Sequence, residues 1–242
     1  MSDDIILEAR DLEKRFGGVR AIAGVNFRLR RGELRCLIGP NGAGKSTFFK
    51  MLTAQLSPSQ GVILFNGVDI TRMERHRIAR LGIGIKNQVP SVFDGLTVHE
   101  GLWLATAASG AAKGDIEADV DATLDQLGLV PIADRTVGLL AHGQRQWVEL
   151  GMVMARRPSV ILLDEPTAGM SAEEVRRTAG LIRELNRTAA LVVVEHDMQF
   201  IRDIAKMITV FHQGRILMEG TISEVQSDPR VRAVYLGARS HA

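Results

Sequence analysis

Nine consecutive residues combine glycines with a lysine and two hydroxyl groups in an order suited to phosphate binding. In sequence they are Gly39, Pro40, Asn41, Gly42, Ala43, Gly44, Lys45, Ser46 and Thr47. The glycines let successive backbone N–H groups turn inward around phosphates, Lys45 reaches the outer phosphates, and the Ser46 hydroxyl can ligate Mg2+. An apolar run precedes the segment and a helical pattern follows it, which is the context that this motif requires. The segment therefore predicts binding of a nucleoside triphosphate.

A second set of polar residues follows an apolar run later in the chain. Residues 160–163 are wholly apolar and lead directly into Asp164 and Glu165. At the C-terminal tip of a buried strand, where ligands bind in open α/β sheets, Asp164 would hold Mg2+ and Glu165 would act as general base on the attacking water. Pro166 leaves open the alternative that the two carboxylates only begin a helix. His196 ends the next apolar run, where it could donate to a γ-phosphate or be structural.

Length and composition limit the class of protein. A chain of 242 residues with formal net charge +2 fits one large α/β domain with an inserted subdomain, and its dispersed charges favour no nucleic-acid partner. The cluster of Arg28, Arg30, Arg31 and Arg35 predicts a solvated hairpin edge, with a phosphate-binding patch as the alternative. The single cysteine, Cys36, excludes an internal disulfide. We expect no secretory signal and no membrane-spanning segment, so any membrane association would come through a partner.

The order of predicted elements places both polar sets in one α/β fold. Runs at residues 5–9, 25–29 and 61–65 predict an antiparallel β layer. Helical periodicity from residue 98 to 127, and again from 147 to 154, predicts a helical subdomain inserted at about residues 89–158. The apolar runs 160–163 and 191–194, separated by an amphipathic helix over 172–185, predict buried parallel strands. A hairpin over 208–218 and a short C-terminal helix complete the chain.

The order of these motifs, over nearly the whole sequence, resembles that of the ATP-binding subunit of an ABC transporter. The resemblance implies a P-loop NTPase of the ABC type that binds ATP with Mg2+. It assigns Asp164 and Glu165 to the Walker B pair and His196 to the switch histidine. Phe16 matches the aromatic residue that stacks on adenine, although alone it would be interpreted as a core residue. Gln88 matches the glutamine that contacts Mg2+ or the lytic water, although alone it would be interpreted as a surface residue.

The family signature, usually Leu-Ser-Gly-Gly-Gln, is present with two departures, as Leu140, Ala141, His142, Gly143 and Gln144. The resemblance implies that this segment contacts ATP on the opposite subunit, so that two domains sandwich two nucleotides head to tail. Ala141 lacks the hydroxyl that would reach the γ-phosphate, and we expect His142 to compensate in part by donating to that anion. The alternative is that His142 caps the following helix.

Two other segments depart from the family pattern. Ser171 stands where the family usually has aspartate, which predicts altered communication between the two sites. Residues 85–87 are Ile-Lys-Asn where Arg-Thr-Phe is common, which changes the approach to Gln88.

Several markers are similar to those of the branched-chain amino acid importer class, most closely its urea and short-chain amide branch. They are the histidine of the signature, Gln146 with Trp147, residues 168–170, and the ending from Asp228 to Gly237. Trp147 itself is interpreted as a core residue. The resemblance implies a bacterial uptake system with a periplasmic substrate-binding protein, two different permease subunits and a second ATPase, although a homodimer stays open.

This chain would then lie on the cytoplasmic face of the inner membrane, held there by the permease. The surface implied to contact the permease lies near Gln88, Val89, Pro90 and Phe93. Three alternatives stay open at this point. They are an ATPase for branched-chain amino acid uptake, an ABC ATPase that is not part of a transporter, and a regulatory subunit with little hydrolysis, the last suggested by Ala141 and Ser171.

Overall fold

The computed structural model describes residues 4–88, 92–109 and 115–237. Val89 and Pro90, which the sequence predicts to face a permease, lie outside these residues. In chain order the strands are β1 (Ile5–Phe16), β2 (Val19–Arg30), β3 (Leu34–Ile38), β4 (Gln60–Phe65), β5 (Val68–Asp69), β6 (Ile83–Lys86), β7 (Val160–Asp164), β8 (Ala190–Val194), β9 (Met207–His212) and β10 (Arg215–Gly220). The helices are α1 (Lys45–Leu52), α2 (Arg75–Leu81), α3 (Val98–Ala107), α4 (Ile116–Gln126), α5 (His142–Met154), α6 (Ala172–Leu185), α7 (Met198–Ile204), α8 (Ile222–Ser227) and α9 (Pro229–Gly237).

The strands form two sheets. The first has the order β2-β1-β4-β5 and its neighbours are antiparallel, which confirms the predicted β layer. The second has the order β10-β9-β3-β8-β7-β6. Its neighbours from β9 to β6 are parallel, as predicted for the apolar runs, and β10 pairs antiparallel with β9. The C-terminal ends of β3, β6, β7 and β8 therefore lie along one edge, which is where ligands bind in such sheets.

Both faces of the second sheet are covered by apolar side chains. Because side chains alternate along a strand, Ile161 and Leu163 of β7 pack in one cluster together with helices α3 to α6. Val160 and Leu162 pack in a second cluster with α1 and the antiparallel sheet. This two-sided burial explains why β7 and β8 are continuous apolar runs.

Some helices agree with the sequence predictions and others were missed. Helix α6 has the predicted bounds, and α3, α4 and α5 fall within the range predicted for the helical insertion. Helices α2 and α7 and strand β6 were missed because each is too short to show a periodic pattern. The predicted short C-terminal helix is instead two helices. They separate at Asp228, whose backbone is extended because it precedes Pro229. Within the described residues, no helix is both long and apolar enough to cross a bilayer.

The prediction of a solvated arginine edge is wrong for Arg35. Its side chain is only 7% exposed, because β3 lies between β8 and β9 in the sheet. The guanidinium donates to Glu33 Oε1 at 2.6 Å and to Thr209 Oγ1 at 2.8 Å, and it forms an ion pair with Glu219. Arg35 lies on β3, the strand that leads to the phosphate-binding segment. It thus neutralises the carboxylates of Glu33 and Glu219.

Replacing Arg35 with alanine should lower the free energy of unfolding by about 3 kcal/mol, since Glu33 and Glu219 would lose a buried cationic partner. Arg28→Ala is the matched control. The Arg28 side chain is 69% exposed beside Glu8, and exposed ion pairs contribute less than about 1 kcal/mol. Urea unfolding of the wild type and the two variants measures both losses. Equal losses for the two variants would contradict the structural role assigned to Arg35.

Candidate nucleotide-binding site

The phosphate-binding segment is a tight turn between β3 and α1 that requires glycine at two positions. Gly39 has φ +149°, and a Cβ there would lie 2.3 Å from the carbonyl oxygen of Phe211. Gly44 has φ +105°, and a Cβ there would lie 2.9 Å from the carbonyl oxygen of Ala21. The loop is also fixed from outside, because the Gly214 N–H donates to the Ala43 carbonyl at 2.9 Å. Its shape is thus determined by close backbone packing.

Lys45 is the first residue of α1 and lies over this loop. Its Nζ donates to the carbonyl oxygens of Gly39 at 2.6 Å and Pro40 at 3.0 Å. Burial lowers the pKa of Lys45, and the charges of Glu165 and Asp164 oppose that shift. The loop residues Asn41, Gly42 and Ser46 are exposed at the surface, and Thr47 is half-buried. The N-terminus of α1 and one ammonium group therefore face the same accessible space, an arrangement that favours a polyanion.

Asp164 and Glu165 lie at the C-terminal end of β7, as predicted. The Glu165 N–H donates to the carbonyl of Val194 in β8 at 2.9 Å, and Glu165 has an unusual φ of +44°. Burial raises the pKa of Asp164, and the adjacent Glu165 charge raises it further, while Lys50 and Lys86 act in the opposite direction. Two half-buried carboxylates are therefore held side by side against a lysine.

Gln88 and His196 both approach Glu165. Gln88 Nε2 donates to Glu165 Oε2 at 2.7 Å, and His196 Nδ1 lies 3.6 Å from Glu165 Oε1. Since the three residues follow β6, β7 and β8, the parallel sheet brings together groups that are far apart in sequence. Neither of these two contacts could be read from the sequence, which placed the residues only at one edge.

Glu195 is a residue of the site that the sequence analysis did not single out. It is 1% exposed, and its carboxylate accepts from the Thr167 hydroxyl, from the Thr167 N–H at 3.3 Å and from the His196 N–H at 2.9 Å. It thereby joins the segment after Glu165 to the segment that carries His196. A charged residue directly after a wholly apolar strand was the signal that could have revealed it.

Tyr235 of α9 is a second residue that the sequence analysis did not assign to the site. Burial raises the pKa of Tyr235 to about 12, and the backbone of Gly39, the first glycine of the phosphate-binding segment, acts in the opposite direction. Helix α9 is anchored by Val231, which is 5% exposed. In the sequence, Tyr235 lies within the ending that marks similarity to the importer class. Its proximity to the loop could not be derived there, because it depends on how α9 folds back.

Phe16 lies at the end of β1 and is 48% exposed, so its interpretation as a core residue is wrong. Lys14 Nζ lies 5.2 Å from the centre of its ring. Phe16 pairs with Val19 of β2. Two residues further along β2, the Ala21 carbonyl packs against Gly44 of the phosphate-binding segment. An accessible aromatic face thus lies on the hairpin that borders the loop.

The signature segment leads into α5, where Ala141 and His142 are exposed and Gly143 is buried. The Ala141 N–H donates to the Gln144 side chain at 3.2 Å. His142 does not cap the helix, so that alternative is wrong. Its Nε2 lies 3.0 Å from the carbonyl oxygen of Ala168. The structure thus brings Lys45, Asp164, Glu165, Gln88 and His196 together, and it places the signature segment against the loop after β7.

Comparison with known proteins gives two family matches. Residues 22–168 match the family described as ABC transporter, and residues 215–241 match the family described as branched-chain amino acid ATP-binding cassette transporter. The chain is 33% identical over 249 residues to the high-affinity branched-chain amino acid transport ATP-binding protein BraF of Pseudomonas aeruginosa, covering 96% of this chain and 98% of that protein. It is 32% identical, with the same coverage, to the corresponding protein LivG of Escherichia coli.

Solved structures agree with the sequence comparisons. An ATP-binding cassette of an ABC transporter, in its ADP conformation, matches with a TM-score of 0.85 at 29% identity, covering 96% of this chain and 99% of that one. Part of an ABC transporter complex from Clostridium perfringens matches with a TM-score of 0.84 at 29% identity, covering 96% of this chain and 95% of that one. The predicted fold class is confirmed. The chain belongs to the ABC transporter family, as an ATP-binding subunit of the branched-chain amino acid importer class and an ATPase coupled to transport.

Proposed function

We propose that this chain is one of two ATPases of a bacterial importer, that it pairs head to tail with the second, and that the importer takes up urea or a short-chain amide. The observation that carries the hydrolytic part is the meeting of Gln88, Glu165 and His196 beside the phosphate-binding segment.

ATP binds with its phosphates in the loop from Gly39 to Thr47. Successive N–H groups and the α1 N-terminus attract the anion, and Lys45 neutralises the outer phosphates. The Lys45 ammonium exchanges its hydrogen bonds to loop carbonyls for stronger bonds to phosphate oxygens. The accessible ring of Phe16 stacks on the adenine.

The residues beside the loop fit Mg2+. Mg2+ is usually bound by one or two carboxylates together with substrate phosphates, and it prefers oxygen ligands. Ser46, Gln88 and Asp164 offer such oxygens, and burial and the neighbouring Glu165 charge raise the pKa of Asp164, so a cation there would relieve the charge crowding. When bound, Mg2+ would neutralise charge on the β- and γ-phosphate oxygens.

Glu165 accepts the proton of the attacking water as the water oxygen bonds to the γ-phosphorus and the bond from that phosphorus to the β–γ bridging oxygen breaks, so that ADP leaves. The two oxygens of Glu165 are oriented from both sides, by Gln88 on Oε2 and by His196 near Oε1. A fixed carboxylate keeps the water in line with the phosphate, and positioning of this kind supplies most of the catalysis in phosphoryl transfer. His196 also donates to the γ-phosphate, and Lys45 stabilises its charge.

In the proposed dimer, the exposed signature residues Ala141 and His142, followed by Gly143 and Gln144, contact ATP held by the opposite subunit. Because a carbonyl oxygen only accepts hydrogen bonds, the contact with Ala168 requires a proton on His142 Nε2. His142 would therefore reach the γ-phosphate through Nδ1, which must carry a second proton to donate. In that form it replaces part of the interaction lost with serine at position 141.

The permease docks in a groove of about 520 Å3 between α2, β6, α3 and α5. Phe93 and Leu104 line this groove and are 58% and 44% exposed, and Asn87 lies beside Gln88 at its edge. We assign residues 89–158 to a helical subdomain that moves with the permease. ATP binding closes the dimer and hydrolysis reopens it, so the groove transmits the change to the membrane subunits. The periplasmic binding protein delivers substrate on the other side.

The proposed substrate depends on the similarity of the signature histidine, Trp147 and residues 168–170 to the urea and short-chain amide branch. The names of BraF and LivG favour the second candidate, a branched-chain amino acid. Substrate does not touch this subunit in the proposed arrangement, so transport itself must decide between the two.

Glu165→Gln should reduce ATP turnover at least about a hundredfold, because the amide cannot accept the proton of water. It should still bind ATP and should accumulate as a closed dimer. Glu184→Gln, an exposed change on α6, is the matched control and should leave turnover unchanged. Turnover is measured by phosphate release and dimerisation by analytical ultracentrifugation. Normal hydrolysis by Glu165→Gln would contradict its role as base.

When the Glu165→Gln variant is purified from native membranes with Mg-ATP, two permease subunits and a second ATPase should be recovered with it. Recovery of water-soluble partners alone would contradict the importer.

Deletion of the gene should abolish uptake of radiolabelled urea or acetamide at low micromolar concentration and leave leucine uptake intact. The wild-type gene should restore uptake, and the Glu165→Gln gene should not, because transport depends on hydrolysis. Loss of leucine uptake with normal urea and acetamide uptake would overturn the amide assignment in favour of a branched-chain amino acid. No change in either uptake would contradict both.

A further inference from the structure

The signature segment is attached to the loop that follows β7, which we call the β7–α6 loop (residues 165–171). His142 Nε2 lies 3.0 Å from the Ala168 carbonyl oxygen and 3.1 Å from the side-chain amide of Gln146. Since a carbonyl oxygen only accepts, Nε2 donates to Ala168 when the Gln146 amide turns its oxygen, rather than its nitrogen, toward the ring. The ring also lies over the next residue, since a Cβ on Gly169 would come within 3.3 Å of His142 Cδ2. The Ala168 N–H in turn donates to the carbonyl of Glu165 at 3.2 Å. Two hydrogen bonds therefore connect His142 to the backbone of Glu165.

A second contact joins the same two segments. Ser171 and Glu174 form a capping box at the start of α6, in which Glu174 Oε2 accepts from the Ser171 N–H at 2.8 Å. The same carboxylate packs against Gly143, where a Cβ would come within 2.1 Å of Glu174 Oε1. The carboxylate thus lies at the N-terminus of α5, the end of a helix that favours negative charge.

A third contact lies deeper, one turn further along α5. Trp147 is 6% exposed, and its indole N–H donates to Thr178 Oγ1 at 3.0 Å. The Thr178 hydroxyl lies 3.3 Å from the sulfur of Met170, in the β7–α6 loop. The packing of α5 against α6 therefore stabilises the contact between the signature segment and the β7–α6 loop.

We propose that His142 is a positioning residue that ties the signature segment to the β7–α6 loop, so that ATP bound by the opposite subunit orders the loop carrying this chain's own Glu165. The proposal rests on the head-to-tail dimer of the proposed function. Residues 140–144 engage the opposite nucleotide, and Glu165 serves this chain's own nucleotide. The bond between His142 and Ala168 links the two sites through one chain.

This role differs chemically from a direct contact with phosphate. The tie needs only a donor at the position of Nε2, which a neutral imidazole supplies. Glutamine places an amide N–H close to that position, so His142→Gln should keep the tie. Glutamine cannot supply a positive charge on Nδ1, so the same variant removes any imidazolium contact with the γ-phosphate.

Hydrogen exchange on the full chain tests the tie without any dimer. In His142→Ala, the amides of residues 167–171 should exchange roughly three to ten times faster, as expected for the loss of one hydrogen bond from a local opening equilibrium. His142→Gln should exchange within about twofold of wild type. His76→Ala, which removes an exposed histidine on α2, is the control and should not change exchange in this loop. Unchanged exchange in His142→Ala would overturn the tie.

The coupling between the opposite nucleotide and this loop is tested by measuring the ATP concentration that gives half-maximal dimerisation. Each His142 change is made in protein that also carries Glu165→Gln. Adding His142→Ala should raise that concentration roughly fivefold or more, because the tie and the γ-phosphate contact are both lost. Adding His142→Gln should raise it by no more than about twofold, because only the γ-phosphate contact is lost. A rise as large with glutamine as with alanine would show that the imidazole acts by charge, and would overturn the positioning role. If Glu165→Gln forms no dimer at any ATP concentration, the proposed function fails and the coupling fails with it, while the exchange experiment still decides whether the tie exists.

Discussion

Two carboxylates held side by side at the end of one buried strand set the conditions for the rest of the site. Burial raises the pKa of Asp164, and the adjacent Glu165 charge raises it further. The surrounding groups reduce this cost, because Lys45 attracts both carboxylates and Gln88 donates to Glu165. The parallel sheet makes the arrangement possible, since β3, β6, β7 and β8 bring their C-terminal ends to one edge.

Local patterns in the sequence predicted the parts of the site that depend on short stretches of chain. The phosphate-binding segment and the Asp164–Glu165 pair each follow a wholly apolar run, so their places at strand ends could be derived directly. Contacts across the fold could not be derived in this way. Glu195 and Tyr235 were missed because their roles depend on partners far away in sequence. Arg35 was misassigned because the charge pattern does not reveal that β3 is an interior strand.

The departures from the family pattern gain a physical account from these contacts. Ser171, where aspartate is usual, caps α6 and holds Glu174 beside Gly143. His142, where glycine is usual, bonds to Ala168 of the same chain. The sequence suggested a role for His142 toward a phosphate or as a helix cap, and neither suggestion included the β7–α6 loop. These two substitutions occur in segments that touch each other, which one sequence alone does not reveal.

The central claim is that Gln88 and His196 orient one carboxylate, Glu165, for hydrolysis. Single-turnover hydrolysis of ATP by Gln88→Ala, His196→Ala and the double variant, with ATP affinity measured on the same proteins, tests it most directly. The account predicts that each single change slows hydrolysis roughly tenfold or more with affinity nearly unchanged, and that the double change costs less than the product of the two, because both residues act on the same group. Fully multiplicative losses, or hydrolysis that survives the double change, would contradict it.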